Sequence, residues 1–119
     1  MTRLRVLVVE DELTIALSIK LFLESASCEV IGPSGRLDAA LEIAASSEID
    51  VALLDVNLRG LEVFPVADIL ARRNVPMIFL SGYEDAVLPS RFQGCRTLRK
   101  PARPEAILSA LDAVTGVNA

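Results

Sequence analysis

Apolar and polar positions along this chain follow two rhythms. Five short runs are rich in apolar and β-branched residues: Arg5–Val9 (RVLVV), Glu29–Ile31, Val51–Asp55 (VALLD), Val75–Leu80 and Thr97–Arg99. Runs this short predict strands, and the unbroken ones predict strands covered on both faces. Between them, apolar residues recur three and four apart. Ile15, Ile19, Phe22 and Leu23 do so within 13–25, and Leu37, Ala40, Leu41 and Ala44 follow i, i+3, i+4, i+7. Both patterns predict helices with one apolar face. Residues 62–73 predict a third, with Pro65 tolerable only in its first turn. Pro104 suits the first position of a last helix striped by Ile107, Leu108, Leu111 and Val114. Gly32-Pro33, Gly60 and Ser81-Gly82 read as stops. Residues 84–95 break the rhythm, since Pro89 and Gly94 leave room for one short helix at most.

The predicted order is β-α-β-α-β-α-β-(α)-β-α. Successive parallel strands need crossovers, and crossovers are right-handed, so this order gives a doubly wound α/β sheet with helices on both faces. At 119 residues the chain reads as one domain, 1–119, with neither repeat nor linker. A chain of this size buries about two-thirds of its unfolded surface, enough for its own core.

Composition narrows the chemistry. Hydrophobic residues make up 52%, yet no apolar run approaches the ~20 residues of a membrane span. The opening MTRLRVLVVEDE lacks a signal-peptide pattern, so the expected location is cytoplasmic, away from membrane. The net charge of −4 argues against nucleic acid as partner. Base is nevertheless concentrated at Arg91, Arg96, Arg99, Lys100 and Arg103, as either a solvated face or a docking patch for an acidic partner. Cys28 and Cys95 lack metal-type spacing and read as core thiols. The chain has no histidine. This excludes Ser-His and Cys-His catalysis and leaves only oxygen ligands for a metal, which points to magnesium, calcium or manganese.

In a doubly wound sheet, ligands bind beyond the carboxyl ends of the strands. Those ends carry Glu10 and Asp11 after the first strand, Asp55 after the third, Ser81 after the fourth and Lys100 after the fifth. Three acids sharing a pocket repel one another, and a divalent cation removes that cost. Lys100 adds a fixed positive charge. A metal and an ammonium flanking one aspartate make an anion site around a nucleophile, which is the equipment of phosphoryl transfer. Each residue also has a plainer reading. Glu10 and Asp11 can favour a helix dipole, Asp55 can cap a turn, and Ser81-Gly82 and Lys100-Pro101 can be ordinary loop starts. Their shared position at successive strand ends is what sets them apart.

The motifs VLVVEDE, LLDVN, FLSGY and RKP, in this order from Leu4 to about Val114, resemble the receiver domain of two-component response regulators. The resemblance implies a flavodoxin-like (βα)5 fold with strand order 2-1-3-4-5. It implies that Asp55 accepts a phosphoryl group from a histidine kinase. It assigns Mg2+, or Mn2+ or Ca2+ in its place, to Asp11, Asp55 and the backbone carbonyl of Asn57, with Glu10 acting through water. Ser81 matches the switch hydroxyl, and Lys100 matches the phosphate-pairing lysine, whose bond to Pro101 is typically cis. Thr97 stands where the family usually has a switching aromatic, and the span from Ser81 to Lys100 is short, which suggests a reduced fourth helix. With FLSGY, these features look like the stand-alone FATGUY-type receivers of alphaproteobacteria, which partner with HWE-type or related kinases. Tyr83 then becomes a candidate for part of the switch role.

The expected function is a single-domain response regulator without an output domain, a monomer or weak dimer. It would act by docking to other proteins or as a phosphate sink, and would not be an enzyme beyond its own phosphorylation and dephosphorylation. A haloacid-dehalogenase-type phosphatase also uses an aspartyl phosphate, but wants a second Asp where Asn57 stands. A flavodoxin-like cofactor binder wants a phosphate loop after the first strand and aromatics, of which there are four Phe, one Tyr and no Trp.

Overall fold

In the computed structural model, residues 3–82 and 88–116 are described. Five strands form one parallel sheet: β1 (Arg5–Val9), β2 (Glu29–Ser34), β3 (Val51–Asp55), β4 (Met77–Ser81) and β5 (Arg96–Arg99). Their order is β2-β1-β3-β4-β5, the doubly wound, flavodoxin-like order that the resemblance implied. Four helices cover the faces: α1 (Leu13–Ser25), α2 (Leu37–Ser46), α3 (Phe64–Arg72) and α4 (Pro104–Thr115). Among the described residues no helix is long and apolar enough to cross a membrane.

The unbroken apolar runs become strands buried on both sides, and alternate residues feed two cores. Leu7, Val9, Ala52, Leu54, Met77 and Phe79 pack on one face with α2 and α3. Val6, Val8, Val51, Leu53, Ile78 and Leu80 pack on the other with Ile19 and Leu23 of α1 and Ile107, Ala110 and Leu111 of α4. All five residues of β3 are buried. Truncating a fully enclosed Leu53 or Leu54 to Ala removes about 2–5 kcal/mol in sites of this kind.

Three local features depart from the sequence reading. β2 runs past Gly32-Pro33 to Ser34. The ladder skips a residue there, so that Val9 pairs with Ser34 after Leu7 pairs with Ile31. Gly32 makes this possible, because its φ is +95° and a Cβ there would meet Ser34 N at 2.9 Å. Gly60, read only as a stop, and Glu62, read as the start of a helix, lie in a small antiparallel hairpin that pairs Asn57 with Glu62 and Leu58 with Leu61, so α3 begins only at Phe64. Third, β4 starts at Met77 and extends to Ser81, where the apolar run had suggested Val75–Leu80.

The predicted shortage of helix before β5 is seen as a single 3-10 turn, Ser90–Phe92, among residues 88–95. Phe92 fills the space beneath it, stacked on Phe64 at 5.9 Å and tilted against Phe79 at 5.6 Å. Arg91 makes two hydrogen bonds to Asp68 of α3, at 2.8 and 3.1 Å. Arg91, though exposed, is thereby committed to an intramolecular pair; Arg96 and Arg103 are exposed as well. Cys28 is a buried thiol as expected, and Cys95 is only half-buried.

Candidate functional site

The strand order brings the carboxyl ends of β1, β3, β4 and β5 side by side. Glu10 and Asp11 leave β1 just where its neighbour β3 ends in Asp55. One carboxylate oxygen from each of Glu10, Asp11 and Asp55 lies within 4.8 Å of the others. Lys100 follows β5 and donates its main-chain N–H to the Ser81 carbonyl at 2.9 Å, which closes the sheet at this end. The Lys100–Pro101 bond is cis, as the resemblance implied.

The Lys100 side chain turns inward. Its Nζ lies 3.0 Å from Asp55 Oδ2 and 3.3 Å from Glu10 Oε1. Glu10 and Asp55 are each only 2% exposed, so both carboxylates have lost almost all their water. Burial, with the Asp55 charge adding to it, raises the Glu10 carboxyl to about 7, against the pull of the Glu12 N–H and of Lys100. Burial raises Asp55 as well, opposed first by its hydrogen bond from Lys100 and then by the N–H of Asn57. Burial alone would lower the Lys100 ammonium, but the Asp55 hydrogen bond and the two acid charges raise it on balance.

Each acid also takes one main-chain donor. Glu10 Oε2 accepts from Glu12 N at 3.0 Å, Asp55 Oδ1 from Asn57 N at 3.2 Å, and Asp11 Oδ2 from Arg59 N at 2.9 Å. Glu10 Oε1 is fully enclosed and receives no hydrogen bond, despite the ion contact with Lys100. A buried carboxylate oxygen left in this state is costly. The site is thus built of oxygen ligands at close range, one of them held only by its longer ion contact with Lys100. Carboxylates in this number and at this spacing suit Mg2+, which prefers a few protein oxygens and completes its shell with water.

Ser81 is half-buried at the end of β4, with its Oγ donating to the Gly82 carbonyl at 3.3 Å. Thr97 is exposed on β5 opposite Phe79. Tyr83 lies outside the described residues. Sequence reasoning gathered the acids, Ser81 and Lys100 correctly at one end of the sheet. It missed the bridge from Lys100 to Glu10, because the depth of Glu10 depends on how β1 and β3 pair. It also missed the main-chain donor to Asp11, whose only trace in the sequence is Gly60 within the short span before α3.

A family model described as the response regulator receiver domain matches residues 6–112. The sensory transduction protein LytT of Bacillus cereus is 30% identical over 112 residues, covering 91% of this chain and 46% of LytT. The chain spans about half the length of the curated relatives it matches, 46% of LytT and 54% of the transcriptional regulatory protein PdtaR of Mycobacterium tuberculosis. Among solved structures, SdrG from Sphingomonas melonis Fr1 is 37% identical with a TM-score of 0.84, covering 96% of this chain and 98% of that one. The BeF3-activated conformation of SdrG from Pseudomonas melonis Fr1 is 38% identical, with a TM-score of 0.77 and coverage of 97% and 99%.

Proposed function

The chain belongs to the response regulator receiver domain family, and on that premise we propose that it accepts a phosphoryl group on Asp55 from the phosphohistidine of a sensor kinase. The observation that carries this reading is the 3.0 Å pair between Lys100 Nζ and Asp55 Oδ2, set beside two further acids. Receiver domains are signalling proteins that hold Mg2+ in an acidic pocket, and Glu10, Asp11 and Asp55, with the Asn57 carbonyl, are the groups we assign to it here. When bound, Mg2+ would neutralise charge on the phosphoryl oxygens.

An Asp55 oxygen attacks phosphorus in line with the scissile P–N bond. The new O–P bond forms as the P–N bond breaks, and the electron pair returns to the imidazole nitrogen, which takes a proton from water. Lys100 already holds an ammonium at Asp55 and can follow the negative charge outward onto the phosphoryl group. Ser81, one strand away, can turn its hydroxyl from the Gly82 carbonyl toward a phosphoryl oxygen by a charge-assisted hydrogen bond.

The proposed donor is a sensor histidine kinase, HWE-type or related. Exposed Leu13, Leu17 and Leu21, successive turns of α1 next to the acids, give it an apolar face on which to dock. The phosphorylated receiver would signal by docking to other proteins or act as a phosphate sink.

The test is labelling by a small phosphodonor with and without Mg2+. Wild type should form an alkali-labile acyl phosphate that requires Mg2+, and Asp55→Asn should form none while keeping its fold. Equal labelling of the mutant defeats the assignment. Steady release of phosphate from ordinary phosphate esters would favour a phosphatase instead.

A further inference from the structure

The hairpin after β3 contains a feature that the ligand set does not account for. Asn57 Oδ1 accepts a hydrogen bond from Gly60 N at 2.7 Å. That bond closes a tight turn across Leu58 and Arg59. Within it Arg59 has φ of +51°, a left-handed conformation that costs free energy for any residue with a Cβ. Gly60 follows at φ +89°, where the absence of a Cβ makes the conformation acceptable. The turn aims the Arg59 N–H out of the hairpin at Asp11 Oδ2, 2.9 Å away and 48 residues earlier in sequence.

We infer that the Asn57 side chain is a positioning residue for Asp11: it holds the turn that delivers the Arg59 amide, and so fixes the orientation of a carboxylate assigned to Mg2+. This rests on the Mg2+-dependent receiver reading. The role is separate from that of the Asn57 carbonyl, which any residue would supply.

Three observations support it. The Asn57 side-chain bond is among the shortest that the hairpin makes. The hairpin has only two pairs of residues in its ladder, so little else holds its tip. The left-handed Arg59 needs compensation, and the two hydrogen bonds on either side of it, Asn57 to Gly60 and Arg59 to Asp11, are what the tip provides. Asn is well suited here because its short carbonyl side chain caps a main-chain N–H a few residues ahead. An orienting partner outside a metal's own ligands can alter affinity tenfold or more. The Asn57 bond is exposed and acts through one intervening residue, so a smaller effect is expected.

The experiment is Mg2+ titration of the full chain by calorimetry, with amide NMR signals followed in parallel, for wild type, Asn57→Ala and Asn57→Ser. Asn57→Ala keeps the main-chain carbonyl but removes the acceptor. It should bind Mg2+ about 3- to 10-fold more weakly, with the Arg59 and Gly60 amide signals shifted before any metal is added. Asn57→Ser restores a short acceptor and should recover part of the affinity. Wild-type affinity in Asn57→Ala overturns the inference, and so does equal weakening in both variants, because that would reflect loss of bulk and not loss of an acceptor. If wild type itself binds no Mg2+, the receiver reading of the site falls, and this inference falls with it. Melting in chelator shows that each variant is folded.

Discussion

Lys100 and Asp55 are joined across 45 residues by a 3.0 Å contact between Nζ and Oδ2, and the same ammonium stands 3.3 Å from Glu10. One cation therefore answers two buried carboxylates. Lys100→Met would leave both without it, at a cost of about 1–3 kcal/mol where they remain ionised. The loss should be largest near pH 8 in chelator and smaller near pH 5, where Glu10, raised to about 7, takes up a proton instead. Urea denaturation at the two pH values checks this, and equal losses at both would contradict it.

Metal-free stability should fall as pH rises through neutrality. Glu10 moves from an ordinary 4.5 to about 7 on folding, so the folded state favours its neutral form. Stability from this group is fully present below about 4.5 and is lost as pH climbs through 7. The span corresponds to something on the order of 3 kcal/mol. Thermal melts in chelator from pH 5 to 8.5 should show the decline, and Glu10→Gln should flatten it. Mg2+ requires the ionised acids, so it should raise the melting temperature more at pH 8 than at pH 5.5.

Asp11→Ala removes a proposed metal ligand and also leaves the Arg59 N–H without its acceptor. Relief of repulsion among the acids and loss of that hydrogen bond act in opposite directions. Stability in chelator should therefore change by less than about 1 kcal/mol. The response to Mg2+ should disappear at concentrations that saturate wild type. A titration matching wild type would exclude Asp11 from the ligand set.

The turn before β5 offers a contrast between two neighbours. Phe92 is 3% exposed within a cluster of three rings, and Phe92→Ala should cost about 3–5 kcal/mol. Arg91 makes a two-pronged but exposed pair with Asp68, and Arg91→Ala should cost no more than about 1 kcal/mol. Denaturant titrations of the two variants would separate the contributions. A reversed order would mean that the salt bridge, and not the aromatic packing, holds this segment.

The strands, α1 and the gathering of acids at one end of the sheet were legible because each rests on a local signal. α1 spans 13–25 as its apolar spacing predicts, and the run VALLD becomes a strand buried throughout. What escaped depends on contacts distant in sequence. β2 continues through Gly32-Pro33 because β1 supplies a partner for Ser34, which outweighs the local turn signal. The hairpin around Gly60 looked like a simple stop running into a helix because a four-residue ladder has too short a pattern to register. Arg91 read as one of a basic cluster, and only the packing of Phe92 under the turn brings it to Asp68. The depth of Glu10 followed from neither neighbour in sequence, since Asp11 beside it stays partly open.

β1 and β3 pair in unbroken register from Val6 with Val51 to Val9 with Leu54, in the middle of the sheet. Amides in such a ladder exchange with solvent only when the whole domain opens. The gap between Glu10 and Asp55 is therefore set by the slowest-opening part of the molecule, while Asp11 is steadied by a hairpin that can open locally. The two sides of the acid pocket should thus live on different clocks, with Val9 and Leu54 among the last amides to exchange and Arg59 among the early ones.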